Sequence, residues 1–224
     1  MIISHKHKYI FICNGKTGTT SIEKALACHN EVDDFYYSVP GLYVGKHIPP
    51  AVAKACLPSE VWGDYFKFVF VRDPYDWVVS QWRFNFILPR FPYKAAIRRP
   101  YLIPKYLRDY RERKELHLRE KLDADDIDYL YRHLKQYRGM PLTESYFQHS
   151  YVFDQEGRKL VDFVGRFESL EEDVGKVCEK IGVDFKLPHV NKTKRRDVDS
   201  SLTDEGKNRV RELWSRDFEM LGYE

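Results

Sequence analysis

The 224-residue sequence predicts an α/β layer fold around a mainly parallel sheet, and three observations carry that prediction. An apolar run at 9–13 passes through a Gly/Thr-rich turn into helical periodicity. A second run, at 66–71, does the same through Arg72-Asp73-Pro74. A third, at 160–164, precedes an amphipathic helix over 169–181. Strands that alternate with helices pair in parallel, because a parallel crossover needs a helix-sized connection.

The first strand, YIFIC, is β-branched and aromatic, as a buried strand should be. Thr20-x-x-Glu23 has the spacing of a capping box, with Ile22, Ala25 and Leu26 following at helical intervals. Residues 30–50 are polar and turn-rich, with a short strand expected near 42–44, and 50–57 can form a short helix. After the strand at 66–71, Asp73 is placed to cap a helix over 75–86, and Pro74 suits its first position. Prolines 89, 92, 100 and 104 are expected to break the following stretch into short pieces. A helix is expected over 126–138, and a hairpin turning at Asp154-Gln155-Glu156-Gly157. Leu170, Val174, Val177 and Ile181 line one face of the helix that Gly182 ends. One closing helix is expected over 202–218.

Composition restricts the function classes. The chain has 43% hydrophobic and 32% charged residues, enough for one domain spanning 1–224. A net charge of +3 argues against a wholly basic nucleic-acid binder. Between Arg83 and Arg119, eleven Lys/Arg stand against three Asp/Glu, interleaved with Phe84, Phe86, Phe91, Tyr93, Tyr101, Tyr106 and Tyr110. This basic stretch belongs to an expected helical insertion at about 83–150, on the acceptor side of the site. It can line a cleft for an acidic acceptor or form a solvated face. Cys13, Cys28, Cys56 and Cys178 are scattered without zinc-ligand spacing, so no metal is expected and most are expected to be buried thiols. No run is long and apolar enough for a signal peptide or membrane span, and a cytoplasmic, microbial protein is expected.

The turn NGKTGTTS, 14–21, is the first chemical signal. A helix N-terminus after a strand aims backbone N–H groups and partial positive charge at one point, which suits an anion. Gly18 permits close approach, Thr17, Thr19, Thr20 and Ser21 bring hydroxyls, and Lys16 brings a full charge. A nucleotide-binding P-loop has its first glycine five residues before the GK pair, but Ile10 stands there, inside the strand. The shorter turn can grip one phosphate-sized group, such as a 5′-phosphate carrying a further transferable group. At the second strand tip, Arg72 offers a charged fork and Ser80, eight residues on, a hydroxyl from the same side. An ion pair of Arg72 with Asp73 or Asp76 is the alternative.

Together, GKTGTTS and VRDPYDWVVS resemble the two nucleotide motifs of sulfotransferases that use 3′-phosphoadenosine 5′-phosphosulfate (PAPS). The carbohydrate branch, with the heparan and chondroitin sulfotransferases and their bacterial relatives, is most similar. VGRFESLEEDV, LPHVNKT and DFEMLGY resemble further elements of it, in order along the chain, although Gly15 stands where family members often have proline. The resemblance implies a three-layer, P-loop-like sulfotransferase sandwich. It also implies a hydroxyl acceptor, a glycan or another small molecule, and release of adenosine 3′,5′-bisphosphate (PAP). Lys16 would stabilise the leaving phosphate, the 16–21 turn the 5′-phosphosulfate, and Arg72 with Ser80 the 3′-phosphate. Lys192, Lys194 and Arg195 would close over the nucleotide. His47 matches a family GH element and is the expected base, with Glu23 or Glu144 as competitors. Lys46 could bind sulfate or an acidic acceptor, while Arg166 and Phe167 could serve the site or the fold. A P-loop kinase or NTPase, with Asp73 as the magnesium ligand, a basic nucleic-acid module and an inactive sulfotransferase fold are the rival readings.

Overall fold

Along the two central strands, aromatic and aliphatic side chains alternate, so each strand sends rings to one face and branched chains to the other. The computed structural model describes residues 1–31, 47–86, 100–138, 144, 146–184, 187 and 200–224. Four strands form its sheet in the order β1 (Ile2–Ser4), β2 (Tyr9–Ile12), β3 (Phe66–Val71) and β4 (Phe163–Arg166). β1 pairs antiparallel with β2, whereas β2–β3 and β3–β4 are parallel, with Phe11 opposite Phe68 and Val69 opposite Val164. The fold is therefore mixed α/β, with a mainly parallel sheet.

On the aromatic face, α1 (Thr19–Leu26) contributes Ile22 and Leu26. On the aliphatic face, α2 (Pro50–Cys56) packs Ala53 against a cluster containing Ile10, Ile12, Val69 and Val71. The short α3 (Ser59–Asp64) precedes β3. α4 (Pro74–Asn85) follows β3, and the chain continues through α5 (Ile103–His117) and α6 (Ala124–Arg138). After β4, α7 (Leu170–Ile181) lays Val174, Val177 and Ile181 on the aromatic face. The chain closes with α8 (Asp204–Leu213) and α9 (Ser215–Leu221). A separate core joins α4, α6 and α8 around Trp77, Trp82, Ile127, Leu130, Val210 and Trp214. Trp77 and Trp214 meet edge to face at 6.4 Å, and truncating either to Ala would cost about 3–5 kcal/mol.

Several expectations change. The helix after β2 starts at Thr19 behind Gly18, with no side-chain cap, so the Thr20–Glu23 capping box does not form. Glu23 instead accepts a hydrogen bond from the Cys13 thiol at 3.4 Å. The hairpin reduces to a bridge between Phe153 and Lys159 around the turn at Gly157, and the strand begins at Phe163 rather than at 160. Residues 103–117 form one long helix, because Pro104 lies in its first turn, where a missing N–H breaks no bond. The closing helix divides at Trp214, whose indole is held in the core. Only Cys13 of the four cysteines is buried, whereas Cys28 and Cys56 are exposed. The strand expected at 42–44 lies outside the described residues, among which no helix is long and apolar enough to cross a membrane.

One carboxylate joins the tip of β4 to α7. Asp173 accepts from the Arg166 N–H at 2.8 Å, the Ser169 hydroxyl at 2.9 Å and Lys176 Nζ at 2.8 Å. Burial pushes its pKa up, but these donors outweigh burial and hold it below the usual carboxylate range. A carboxylate with a depressed folded pKa stabilises the fold above its unfolded value, about 3.9 for Asp, and loses that contribution as pH falls through the folded pKa. Asp173→Ala is therefore expected to lose about 1–3 kcal/mol at neutral pH. The gap to wild type should narrow below about pH 4 in denaturant titrations, whereas a pH-independent gap would contradict this account.

Candidate active site

The carboxyl ends of β2, β3 and β4 lie side by side, the edge where open α/β sheets bind ligands. The turn after β2 is held from beneath. Asn14 is buried, and its carbonyl accepts hydrogen bonds from the hydroxyls of both Thr17 (2.9 Å) and Thr19. The Gly15 carbonyl accepts from the buried indole of Trp77 at 2.9 Å, which fixes the turn to α4. Gly18 adopts φ +78°, and a Cβ there would lie 3.0 Å from Leu170. The first intrahelical bonds are those of Ser21 and Ile22 to the Gly18 carbonyl, at 3.0 and 3.3 Å. The N–H groups of Thr19 and Thr20 precede them and point where an oxyanion can be held.

Thr17 and Thr19 are buried, and both hydroxyls donate to the Asn14 carbonyl, so they face the base of the turn. The hydroxyls at the turn's outer side are those of exposed Thr20 and half-buried Ser21. Lys16 has φ +68°, an uncommon conformation for a residue with a side chain, which observed outliers link to functional turns. Its ammonium lies 4.5 Å from the centre of the Phe84 ring.

Arg72 is tied more closely than an open fork would be. Its Nε and Nη2 donate to the same oxygen of Asp76, at 2.9 and 2.8 Å, so the ion-pair alternative is realised with Asp76 and not Asp73. Asp73 instead caps α4 by accepting from the Asp76 N–H at 3.0 Å. Burial, then the nearby Glu168 and Asp76 carboxylates, raises the Asp73 pKa. Nη1 of Arg72 donates to the Lys16 carbonyl at 3.2 Å, and the guanidinium lies over the Phe167 ring at 4.3 Å. Of its five N–H donors, two remain for a ligand.

One face of α4 spans both tips. Asp76, Ser80 and Phe84 recur every four residues, so they stack along that face. Asp76 holds Arg72 at one end, Phe84 meets Lys16 at the other, and half-buried Ser80 lies between. Phe167, just after β4, lies under Arg72, whereas Arg166 donates to the Leu221 and Gly222 carbonyls at 3.1 and 3.2 Å.

His47 lies at the mouth of the turn. Its Nδ1 is 2.8 Å from the Cys13 carbonyl, which can only accept, so Nδ1 carries a proton. Glu144 is engaged elsewhere, with Arg216 at 3.4 Å. Lys46, Lys192, Lys194 and Arg195 lie outside the described residues. Among those described, no group of three or more His, Cys, Asp or Glu side chains is arranged to hold a metal ion. Of the aromatic residues in the basic stretch, Phe84 and Tyr101 are exposed, but Phe86 is buried beside Trp82. Sequence reasoning missed Gln148, whose amide pairs with the backbone of Arg72 from 76 residues away and leaves no local signal.

The chain matches the Sulfotransferase family over residues 1–224 and belongs to it, and so is a sulfotransferase. Among individual proteins it is similar to carbohydrate sulfotransferase 10 of Xenopus laevis, at 25% identity, with all of this chain and 67% of the relative aligned. The Gallus gallus and Homo sapiens proteins of that name are 26% and 24% identical, with 66% and 67% of their lengths covered by the whole of this chain. No solved structure matches the chain significantly.

Gly18→Ala tests the turn directly. The left-handed backbone and the contact with Leu170 should together cost about 1–3 kcal/mol in a denaturant titration. Unchanged stability would mean that the turn at Gly18 is more open than described.

Proposed function

We propose that this chain moves the sulfuryl group of PAPS to a carbohydrate hydroxyl and releases PAP. One observation carries the reading: the Lys16 and Arg72 tips converge on a single face of α4, joined by the Arg72–Lys16 carbonyl bond at 3.2 Å. A donor with phosphate at both its 5′ and 3′ ends matches two cationic tips in one site. The N–H groups of 18–20, with Thr20, Ser21 and Lys16, would take the 5′-phosphosulfate. The remaining donors of Arg72 and the Ser80 hydroxyl would take the 3′-phosphate. Lys192, Lys194 and Arg195 would add charge over the nucleotide. We extend the reading to a three-layer architecture, supported by apolar clusters on both faces of the sheet, and to one domain with its acceptor-side insertion at 83–150.

Sulfuryl transfer resembles phosphoryl transfer, in which positioning and charge stabilisation supply most of the catalysis. The acceptor oxygen forms a bond to sulfur as the bond from sulfur to the phosphate oxygen breaks. Lys16 would neutralise the charge that develops on that leaving oxygen. The acceptor proton would pass to the imidazole of His47, whose ring the bond from Nδ1 to the Cys13 carbonyl orients beside the turn. The carbohydrate acceptor rests on the names of the similar proteins. The half-exposed ring of Phe84, beside Lys16, supports it by offering an apolar face for a sugar ring. The kinase reading loses support because the Asp73 carboxylate serves as a helix cap.

Lys16→Ala is expected to lower kcat by about 10²–10³-fold in a labelled-sulfate transfer assay. His47→Ala should lower kcat by about 10²–10⁴-fold while leaving PAP affinity unchanged in calorimetry; an equal loss of both would remove His47 as the base. ATP with magnesium should bind far more weakly than PAP, and the reverse order would favour the kinase.

A further inference from the structure

Behind the two tips runs a buried polar network that belongs to neither. Gln148 is fully buried, and its side-chain amide pairs with both main-chain groups of Arg72. Its Oε1 accepts from the Arg72 N–H at 2.9 Å, and its Nε2 donates to the Arg72 carbonyl at 2.8 Å. A neighbouring strand would make the same two bonds, so the amide continues the sheet one residue past Val71. The same Oε1 accepts from Asn14 Nδ2 at 3.4 Å, and that nitrogen also donates to the Phe70 carbonyl at 3.1 Å. Asn14 is the residue whose carbonyl holds the Thr17 and Thr19 hydroxyls. Gln148 thus touches the root of the β2 turn and the root of the β3 tip at once.

Gln148 is itself fixed from the far end of the chain. Asp217, fully buried in α9, accepts from the Gln148 N–H at 3.0 Å and the His149 N–H at 2.8 Å. It also bonds Nδ1 of His149 at 2.6 Å, and the His149 ring stacks on Phe147. Removing one partner of such a network leaves buried groups unsatisfied and lets the remainder shift. An isolated phosphate at either tip would tolerate that shift, but a ligand spanning both would not.

We propose that Gln148 is a positioning residue: it sets the spacing between the turn after β2 and the Arg72 tip, so that one bisphosphorylated nucleotide engages both. The proposal rests on the two-grip reading above and adds the residue that holds the grips in register. The Asp217 carboxylate acts one step further back, by holding residues 148 and 149.

The test is calorimetric titration of wild type and Gln148→Met with adenosine 5′-phosphate, adenosine 3′-phosphate and PAP, at one salt concentration. Methionine keeps the side-chain length and removes both bonds. For wild type, PAP should bind at least about tenfold more tightly than either monophosphate, because the second contact is then intramolecular. In Gln148→Met, PAP affinity should fall by about tenfold or more, while each monophosphate changes by less than about threefold. Gln148→Asn, which keeps the amide but shortens its reach, should show the same pattern and serves if the methionine variant does not fold. A PAP advantage that survives both substitutions overturns the proposal, as does an equal loss for all three ligands, which would mark a purely structural role. A wild-type protein with no PAP advantage would instead overturn the two-grip reading itself.

Discussion

The hydrogen bond from the Arg72 guanidinium to the Lys16 carbonyl is the constraint on which the site depends. It joins the tips of two adjacent parallel strands by a charged donor on a neutral acceptor, a stronger bond than a neutral pair would make. It also holds the carbonyl of a residue with φ +68°, in a turn whose strain needs such support. The pairing of Arg72 with Asp76 and its stacking on Phe167 keep the guanidinium from swinging away. The cost of that fixation is donor capacity, since Arg72 keeps two N–H groups and not five for a ligand.

Around this bond the fold behaves as a set of clamps. Trp77 ties α4 to Gly15, Asn14 ties the turn to its own base, and Glu168 accepts from the Asp73 N–H at 2.8 Å. Glu168 also accepts from the Tyr223 hydroxyl at 3.1 Å, and burial, then the Glu168 carboxylate, pushes that phenol's pKa upward. Each clamp comes from a different part of the chain, so the loops after β2, β3 and β4 are fixed to one another and not merely near one another. Preorganisation of this kind is what transfer chemistry with little covalent participation by the protein requires.

The parts of this arrangement that were legible in the sequence are those with local causes. The strand at 66–71, the Asp73 cap and Pro74 at the helix start follow from short-range rules and appear as expected. The turn at 14–21 was legible as a Gly/Thr-rich break between strand and helix, but the helix start was not: Gly18, left-handed, precedes it where the Thr20–Glu23 spacing suggests a capping box. The inward turn of Thr17 and Thr19 was not, since only the tertiary position of the Asn14 carbonyl decides where those hydroxyls point. The long helix from Ile103 was missed because Pro104 was read as a breaker, although it occupies a first turn. Gln148 escaped entirely, and Asp217 was legible only as part of DFEMLGY: they lie 69 residues apart, and Gln148 meets Arg72 only in the folded chain.

A crystal structure of the protein with PAP tests the central claim most directly. The account predicts the 5′-phosphate in the turn at Lys16 to Ser21 and the 3′-phosphate against Arg72 and Ser80, with the Arg72–Lys16 carbonyl bond kept. PAP with either phosphate bound elsewhere, or an Arg72 that abandons the Lys16 carbonyl to reach it, would contradict the account.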